Sequence, residues 1–274
     1  MVVFPNAKIN LGLYVTGKRK DGFHNIETVF APVPDFNDVL EVLENKETQK
    51  DILTTSGIST DASVENNLVM KALKLIREDF SVPPLKIHLH KNIPSGAGLG
   101  GGSSDAAFML RLLNEQFNLG LSTGLLEKKA SALGADCAFF VRNEPTLAKG
   151  IGNEFSPIKI NLDDMWIMLV IPDLHLSTPA AYKFIVPKQP EQSLTENLNL
   201  EINDWSGQLK NDFEPNAFQN HPELNKIKMR LYAEGAVYAA MSGSGSAMYG
   251  LFKEKPEINW PENYKVWIGK MGKE

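Results

Sequence analysis

"PSGAGLGGGSSDAA", residues Pro94 to Ala107, carries five glycines between Gly96 and Gly102, then two serines, an aspartate and two alanines. Glycine surrenders more backbone freedom on folding than any other residue, so a cluster this dense needs a local reason. Close approach of backbone to a ligand supplies one. Before the loop, Leu85, Ile87 and Leu89 alternate with Lys86, His88 and His90, the period of a strand. After it, Ser103 to Phe117 spaces Leu110, Leu113 and Phe117 as a helix does. A strand, a glycine loop and a helix in that order aim backbone N–H groups and the positive end of a helix at one point. The expected guest is a phosphate.

Known phosphate loops separate on their neighbours. Gly96, Gly98 and Gly101 satisfy G-x-G-x-x-G, but a dinucleotide site also wants an acidic residue about 20 positions on, where Leu119 to Thr123 offers none. No Gly-Lys pair is followed by Ser or Thr, which removes the Walker loop. Neither H-R-D nor D-F-G occurs, which removes a protein kinase.

Outward from the loop, Ala7 to Val15 and Asn25 to Val33 read as strands around the turn pair Asp21-Gly22. Leu68, Ala72, Leu75 and Ile76 predict a helix over 66–80, capped by Asn66 or Asn67. A further helix spans about 122–133 and closes on Gly134. The pattern then restarts: strand 165–171, helices 179–184 and 223–234, strands 236–240 and 247–252. A boundary between about 150 and 160 gives domains 1–155 and 156–274.

At 274 residues, with 43% hydrophobic and 22% charged residues, the chain has an ordinary globular composition. Its net charge of −5 gives no basic footprint for nucleic acid. The longest apolar run, Met165 to Ile171, is far short of the ~20 residues that span a bilayer, and no signal-peptide pattern opens the chain. One cysteine, Cys137, excludes an intrachain disulfide and fits a reducing compartment. These features predict a cytoplasmic protein with no membrane partner; its oligomeric state is not legible.

The loop, with "AKINLGL" (Ala7 to Leu13), "DGFHNIET" (Asp21 to Thr28), "GADCAFF" (Gly134 to Phe140) and "SGSGSAMYG" (Ser242 to Gly250), resembles the GHMP kinases. The triple glycine before Ser-Ser resembles one branch, whose alcohol substrate is a methylerythritol carrying a cytidine diphosphate. The resemblance covers nearly the whole chain. It implies an α+β, two-domain fold with the active-site cleft between the domains. It also implies transfer of a phosphoryl group from ATP to the substrate's 2-hydroxyl, in non-mevalonate isoprenoid precursor synthesis. The alternatives are a kinase of the same superfamily for homoserine or mevalonate, and a nucleotide-binding sensor without turnover.

By the same resemblance, Pro94, Ser95, Gly96, Ala97, Gly98, Leu99, Gly100, Gly101, Gly102, Ser103 and Ser104 bind ATP. Asp136, the aspartate of "GAD", is the catalytic base, and Lys8 is its partner. A lysine beside that carboxylate would hold it ionised, a good acceptor for a hydroxyl whose proton leaves late in a loose transition state. Asn10 lies two residues along the same strand and so on the same face as Lys8, where the substrate is expected. His24 resembles the residue that reads the cytosine edge. Phe23 stands where tyrosine is usual and keeps a stacking face, and Tyr182 is expected on the opposite face of the base. Mg2+ is expected with ATP. Asp105 is the one carboxylate near the loop and Ser104 a hydroxyl at the helix start, but the ion's ligands stay unassigned. His88 and His90 share a strand face without a third ligand and read as ordinary strand residues.

Overall fold

The computed structural model describes residues 1–59 and 63–272. Its contacts divide the chain into two units: residues 1–7, 36–95 and 100–144, and residues 8–35, 96–99 and 145–274. This division differs from a single cut near residue 155, because residues 8–35 group with the C-terminal half.

In the first unit, β1 (Val2–Val3), β4 (Val39–Glu44), β6 (Leu85–Lys91) and β5 (Ile52–Gly57) form one sheet in that order. Strand β5 runs parallel to β6 and β4 antiparallel to it. The alternation read before the glycine loop is real: Leu85, Ile87 and Leu89 are buried. Its α-helices are α1 (Leu68–Arg77), α2 (Gly101–Gln116), α3 (Thr123–Leu133) and α4 (Phe139–Arg142). Asn67 caps α1, its side chain accepting from Val69 N at 2.9 Å. Helix α1 turns Val69, Ala72, Leu73 and Ile76 inward; of the stripe read from the sequence, Ala72 and Ile76 are buried, while Leu68 and Leu75 stand half-buried at its edge.

The second unit holds most of a sheet ordered β2 (Asn6–Lys18), β3 (His24–Asn37), β7 (Thr146–Lys149) and β8 (Glu154–Pro157). Its other sheet is antiparallel, ordered β10 (Tyr238–Met241), β11 (Met248–Phe252), β9 (Trp166–Pro172) and β12 (Tyr264–Lys270). Helices α5 (Thr178–Lys183), α6 (Leu194–Leu198), α7 (Glu214–Asn220) and α8 (Pro222–Ala233) accompany it. Pro222 starts α8, where its missing N–H costs nothing. Leu224, Ile227 and Leu231 of α8 share a core with Met168, Val170, Met241, Met248 and Phe252 of the antiparallel sheet. Leu13 and Val15 of β2 join the same core, which is why residues 8–35 belong with the C-terminal half. Among the described residues no helix is long and apolar enough to cross a membrane.

Candidate active site

The glycine loop is built in two pieces. Within the second unit, Gly96 and Gly98 take φ of +71° and +79°, a left-handed backbone that side chains disfavour. Ala97 and Leu99 between them are buried. A Cβ on Gly98 would stand 2.0 Å from Ser242 O, so a protein neighbour demands glycine here. Ser242 Oγ donates to Gly98 O at 2.8 Å and Ala247 N to Ala97 O at 3.0 Å. The "SGSGS" turn thus braces the loop, and Asn211 braces the turn, donating to Met241 O and Gly243 O, each at 2.8 Å. Nothing in the local sequence marks Asn211, because its partners lie 30 and 32 residues away.

Within the first unit, Gly100 (φ +73°) precedes α2 and provides no side-chain cap. The helix begins at Gly101, two residues earlier than its apolar spacing predicts, because the first turn needs no apolar face to form. A Cβ on Gly101 would lie 2.8 Å from Ile93 Cγ2 and 3.4 Å from Lys91 Nζ, so this glycine also answers to a neighbour. Gly102 is exposed, and a Cβ there would meet only Leu68 Cδ1, at 3.7 Å. Of the triple glycine, Gly102 is the member whose bareness the protein itself does not require. Ser95 and Gly96 are exposed, and Pro94 and Ser103 half-buried. Ser104 is fully buried, its Oγ without a hydrogen-bond partner, and Asp105 turns inward to Lys91.

Lys8 of β2 is 3% exposed. Its ammonium donates to Asn10 Oδ1 at 2.6 Å and lies 5.0 Å from the centroid of the Phe30 ring. Asn10 Nδ2 donates to Thr28 Oγ1 at 2.9 Å, and that hydroxyl donates to Gly12 O at 2.6 Å. Tyr249 OH donates to Asn10 O at 2.7 Å. Asn10 therefore orients Lys8, a role its expected contact with substrate did not anticipate. Thr28 and Tyr249 are further members that sequence spacing could not find. Leu99 O accepts from Lys8 N at 2.9 Å, tying the lysine's strand to the loop.

Asp136 lies in the first unit, half-exposed in the turn between α3 and α4. Cys137 N donates to Gly134 O at 3.2 Å and closes that turn. The next four residues, Cys137 to Phe140, are buried. Burial pushes the Cys137 thiol up to about 11, so it stays neutral and packs as a small apolar group.

The aromatic residues of the second unit meet differently from the expected sandwich. The His24 and Tyr182 rings stack on each other, centroids 4.9 Å apart and planes 20° apart. Tyr182 also meets Phe213 edge-on at 4.9 Å. Phe23 is 59% exposed. Tyr182 is thus brought to His24, with its ring laid on the histidine.

Among the described residues no group of three or more His, Cys, Asp and Glu is placed to hold a metal ion. His88 shares hydrogen bonds with Thr54 and Ser56, and His90 with Ser56, each at 2.9 Å.

The GHMP kinases N terminal domain model matches residues 67–144 and the GHMP kinases C terminal model residues 193–259. The 4-diphosphocytidyl-2-C-methyl-D-erythritol kinase of Bacteroides thetaiotaomicron is 51% identical over 275 residues, covering 99% of this chain and 100% of that one. The enzyme of the same name from Parabacteroides distasonis is 52% identical over 256 residues, 93% of each chain. A crystal structure of 4-(cytidine 5'-diphospho)-2C-methyl-D-erythritol kinase superposes with a TM-score of 0.75 at 32% identity, covering 92% of this chain and 90% of that one. A mevalonate kinase structure, TM-score 0.69 at 15% identity over 98% of each chain, is similar in fold.

Proposed function

The chain belongs to the 4-diphosphocytidyl-2-C-methyl-D-erythritol kinase family of GHMP kinases, and on that premise we propose how this small-molecule kinase works. It transfers the γ-phosphoryl group of ATP to the 2-hydroxyl of 4-diphosphocytidyl-2-C-methyl-D-erythritol, a step in isoprenoid precursor synthesis. One observation carries the ATP site: Gly100 delivers the chain into α2 with no side-chain cap, so the helix's first N–H groups are left for an anion. The residues expected to bind ATP, 94–104, keep that role here. Gly102 gives the closest approach.

Catalysis of phosphoryl transfer is mostly positioning and charge neutralisation. Asp136 accepts the hydroxyl proton. Lys8, its aim fixed by Asn10, supplies the positive charge. His24 reads the cytosine edge, with Phe23 and Tyr182 as stacking faces. His24 covers one face of the Tyr182 ring, centroids 4.9 Å apart, so Tyr182 leaves the histidine to present that face to the base. Asn10 serves the substrate through Lys8.

Mg2+ belongs to the same proposal. Among the described residues no group of three or more His, Cys, Asp and Glu is placed to hold a metal ion and Asp105 is engaged by Lys91, so the ion would arrive with the nucleotide. When bound, it neutralises phosphate charge. An N-terminal ATP-binding domain, 1–155, and a C-terminal domain, 156–274, form the proposed division, supported by family models that fall on either side of it. A cytoplasmic setting is supported by the lone, buried, unpaired cysteine.

The test is direct. Purified protein is incubated with MgATP and, separately, the cytidyl substrate, homoserine and mevalonate, and ADP release is followed. Release with the cytidyl substrate alone is expected. Turnover of homoserine or mevalonate instead would overturn the substrate assignment, and no turnover of any would favour a sensor.

A further inference from the structure

Beneath the first turn of α2 lies a charge cluster that the transfer chemistry does not use. Lys91, the last residue of β6, points its ammonium at Asp38, between β3 and β4, and at Asp105 of α2, whose Oδ2 is 2.6 Å away. All three side chains are 4% exposed or less. Asp38 Oδ1 accepts from Asn92 N at 2.6 Å and Ile93 N at 2.9 Å. Ile93 and Lys91 are the neighbours that confine Gly101. The cluster therefore holds both the entry to the glycine loop and the helix that leaves it.

Its charges do not balance. One ammonium faces two carboxylates, a net charge of −1 when both are ionised. Burying uncompensated charge is costly, and two carboxylates at one site favour keeping a proton. Asp105 Oδ1 is buried with no hydrogen-bond partner. Burial and then the Asp38 carboxylate push Asp105 up to about 7, against the pull of Lys91. Burial lowers Lys91, but Asp105 and Asp38 outweigh it and leave the lysine raised, an ammonium throughout. The other elements packed on α2 bury apolar faces: Val69, Ala72, Leu73 and Ile76 of α1, Leu126 and Ala130 of α3, Phe139, Phe140 and Val141 of α4. Cys137, hydrogen-bonded to Ser103, is a neutral thiol.

We propose, resting on the reading that ATP binds at the glycine loop, that Asp105 is a positioning residue for the triphosphate, acting through Lys91 on the first turn of α2, and that the Asp38–Asp105 pair takes up a solvent proton as the triphosphate arrives. The proton adds to a carboxylate oxygen and brings the cluster from −1 to neutral, with no other bond made or broken. A helix N-terminus carries roughly half a positive charge, which a negative cluster behind it opposes. Neutralising the cluster restores the attraction. By linkage, a proton taken up on binding means that binding tightens as pH falls.

The experiment measures binding of the magnesium complex of a non-hydrolysable ATP analogue to full-length wild type and Asp105→Asn. Calorimetry at pH 7.5 in two buffers of different ionisation enthalpy counts the protons. Wild type takes up more than the variant, by up to roughly one proton. Its affinity falls up to ~10-fold further than the variant's between pH 6.5 and 8.5. The analogue's own ionisation is common to both proteins. In steady state the KM for ATP carries this dependence, while kcat at saturating ATP does not. If Asp105→Asn does not fold, Asp38→Asn provides the same comparison. Equal proton counts in two folded proteins would overturn this proposal alone. A wild type that fails to bind the analogue would overturn the nucleotide reading with it.

Discussion

The Lys8 ammonium donates to Asn10 Oδ1 at 2.6 Å, two residues along one strand face, and Asn10 is itself held by Thr28. A hydrogen bond to a charged group is worth about 1.5 to 3 kcal/mol. Asn10→Ala should therefore lower kcat through Lys8. Lys8→Met should lower it too, and the double variant should be far less than multiplicatively worse, since the two act as a unit. Multiplicative effects on kcat in the double-mutant cycle would show that Asn10 acts on its own.

Gly101 and Gly102 should behave differently from each other. Gly101→Ala places a Cβ 2.8 Å from Ile93 Cγ2, and overpacking of this kind costs about 1 to 3 kcal/mol. Its melting temperature should fall. Gly102→Ala has room within the protein and should melt as wild type does, while losing MgATP affinity because the methyl group stands where phosphate approaches. Calorimetric titration and thermal melts on both variants separate the effects. Unchanged affinity in Gly102→Ala would remove this glycine from the site.

His24→Ala should weaken binding of the cytidyl substrate and of cytidine diphosphate while leaving ATP affinity nearly unchanged. Cytidine diphosphate should compete with the alcohol substrate and not with ATP. The His24–Tyr182 stack adds a spectroscopic readout, since Tyr182 must leave the histidine to receive a base: substrate binding should change the tyrosine fluorescence of wild type and not that of Tyr182→Phe. Parallel loss of both affinities in His24→Ala would refute separate pockets.

Asp136→Asn should bind both ligands and lose about 10^2 to 10^4-fold in kcat, the usual contribution of a general base. Asp136 sits half-exposed in a turn, so the variant should stay folded, which a thermal melt checks. Near-normal turnover would leave catalysis to positioning by the loop and magnesium.

Asp105 gives stability a pH dependence of definite sign. Its carboxyl is raised from the ordinary range to about 7, so between about pH 4 and 7 the folded state holds a proton that the unfolded chain has released. That contribution is fully present near pH 4, falls as pH rises and is lost above about 7. Urea unfolding of wild type should show stability falling relative to Asp105→Asn across this window and levelling off beyond it. A relative stability that rises with pH would place the proton elsewhere.

The sequence by itself determined the glycine loop, its flanking strand and helix and the family, and it narrowed the cap of α1 to Asn66 or Asn67. These rest on local chemistry: the freedom of glycine, the two periods of strand and helix, and residue order within short motifs. It did not reveal why each glycine is there. Gly98 answers to Ser242, 144 residues away, and Gly101 to Ile93 and Lys91. Nor could it bury Lys8, which reads equally well as an exposed strand lysine until the strand acquires neighbours. Thr28, Asn211 and Tyr249 were silent because their partners are distant in the chain. Asp105 read only as the one carboxylate near the loop, and the tertiary structure turns it inward to Lys91. The side to which a side chain faces is set by the register of its element and by what packs against it. Those are non-local quantities, so only the folded chain decides them.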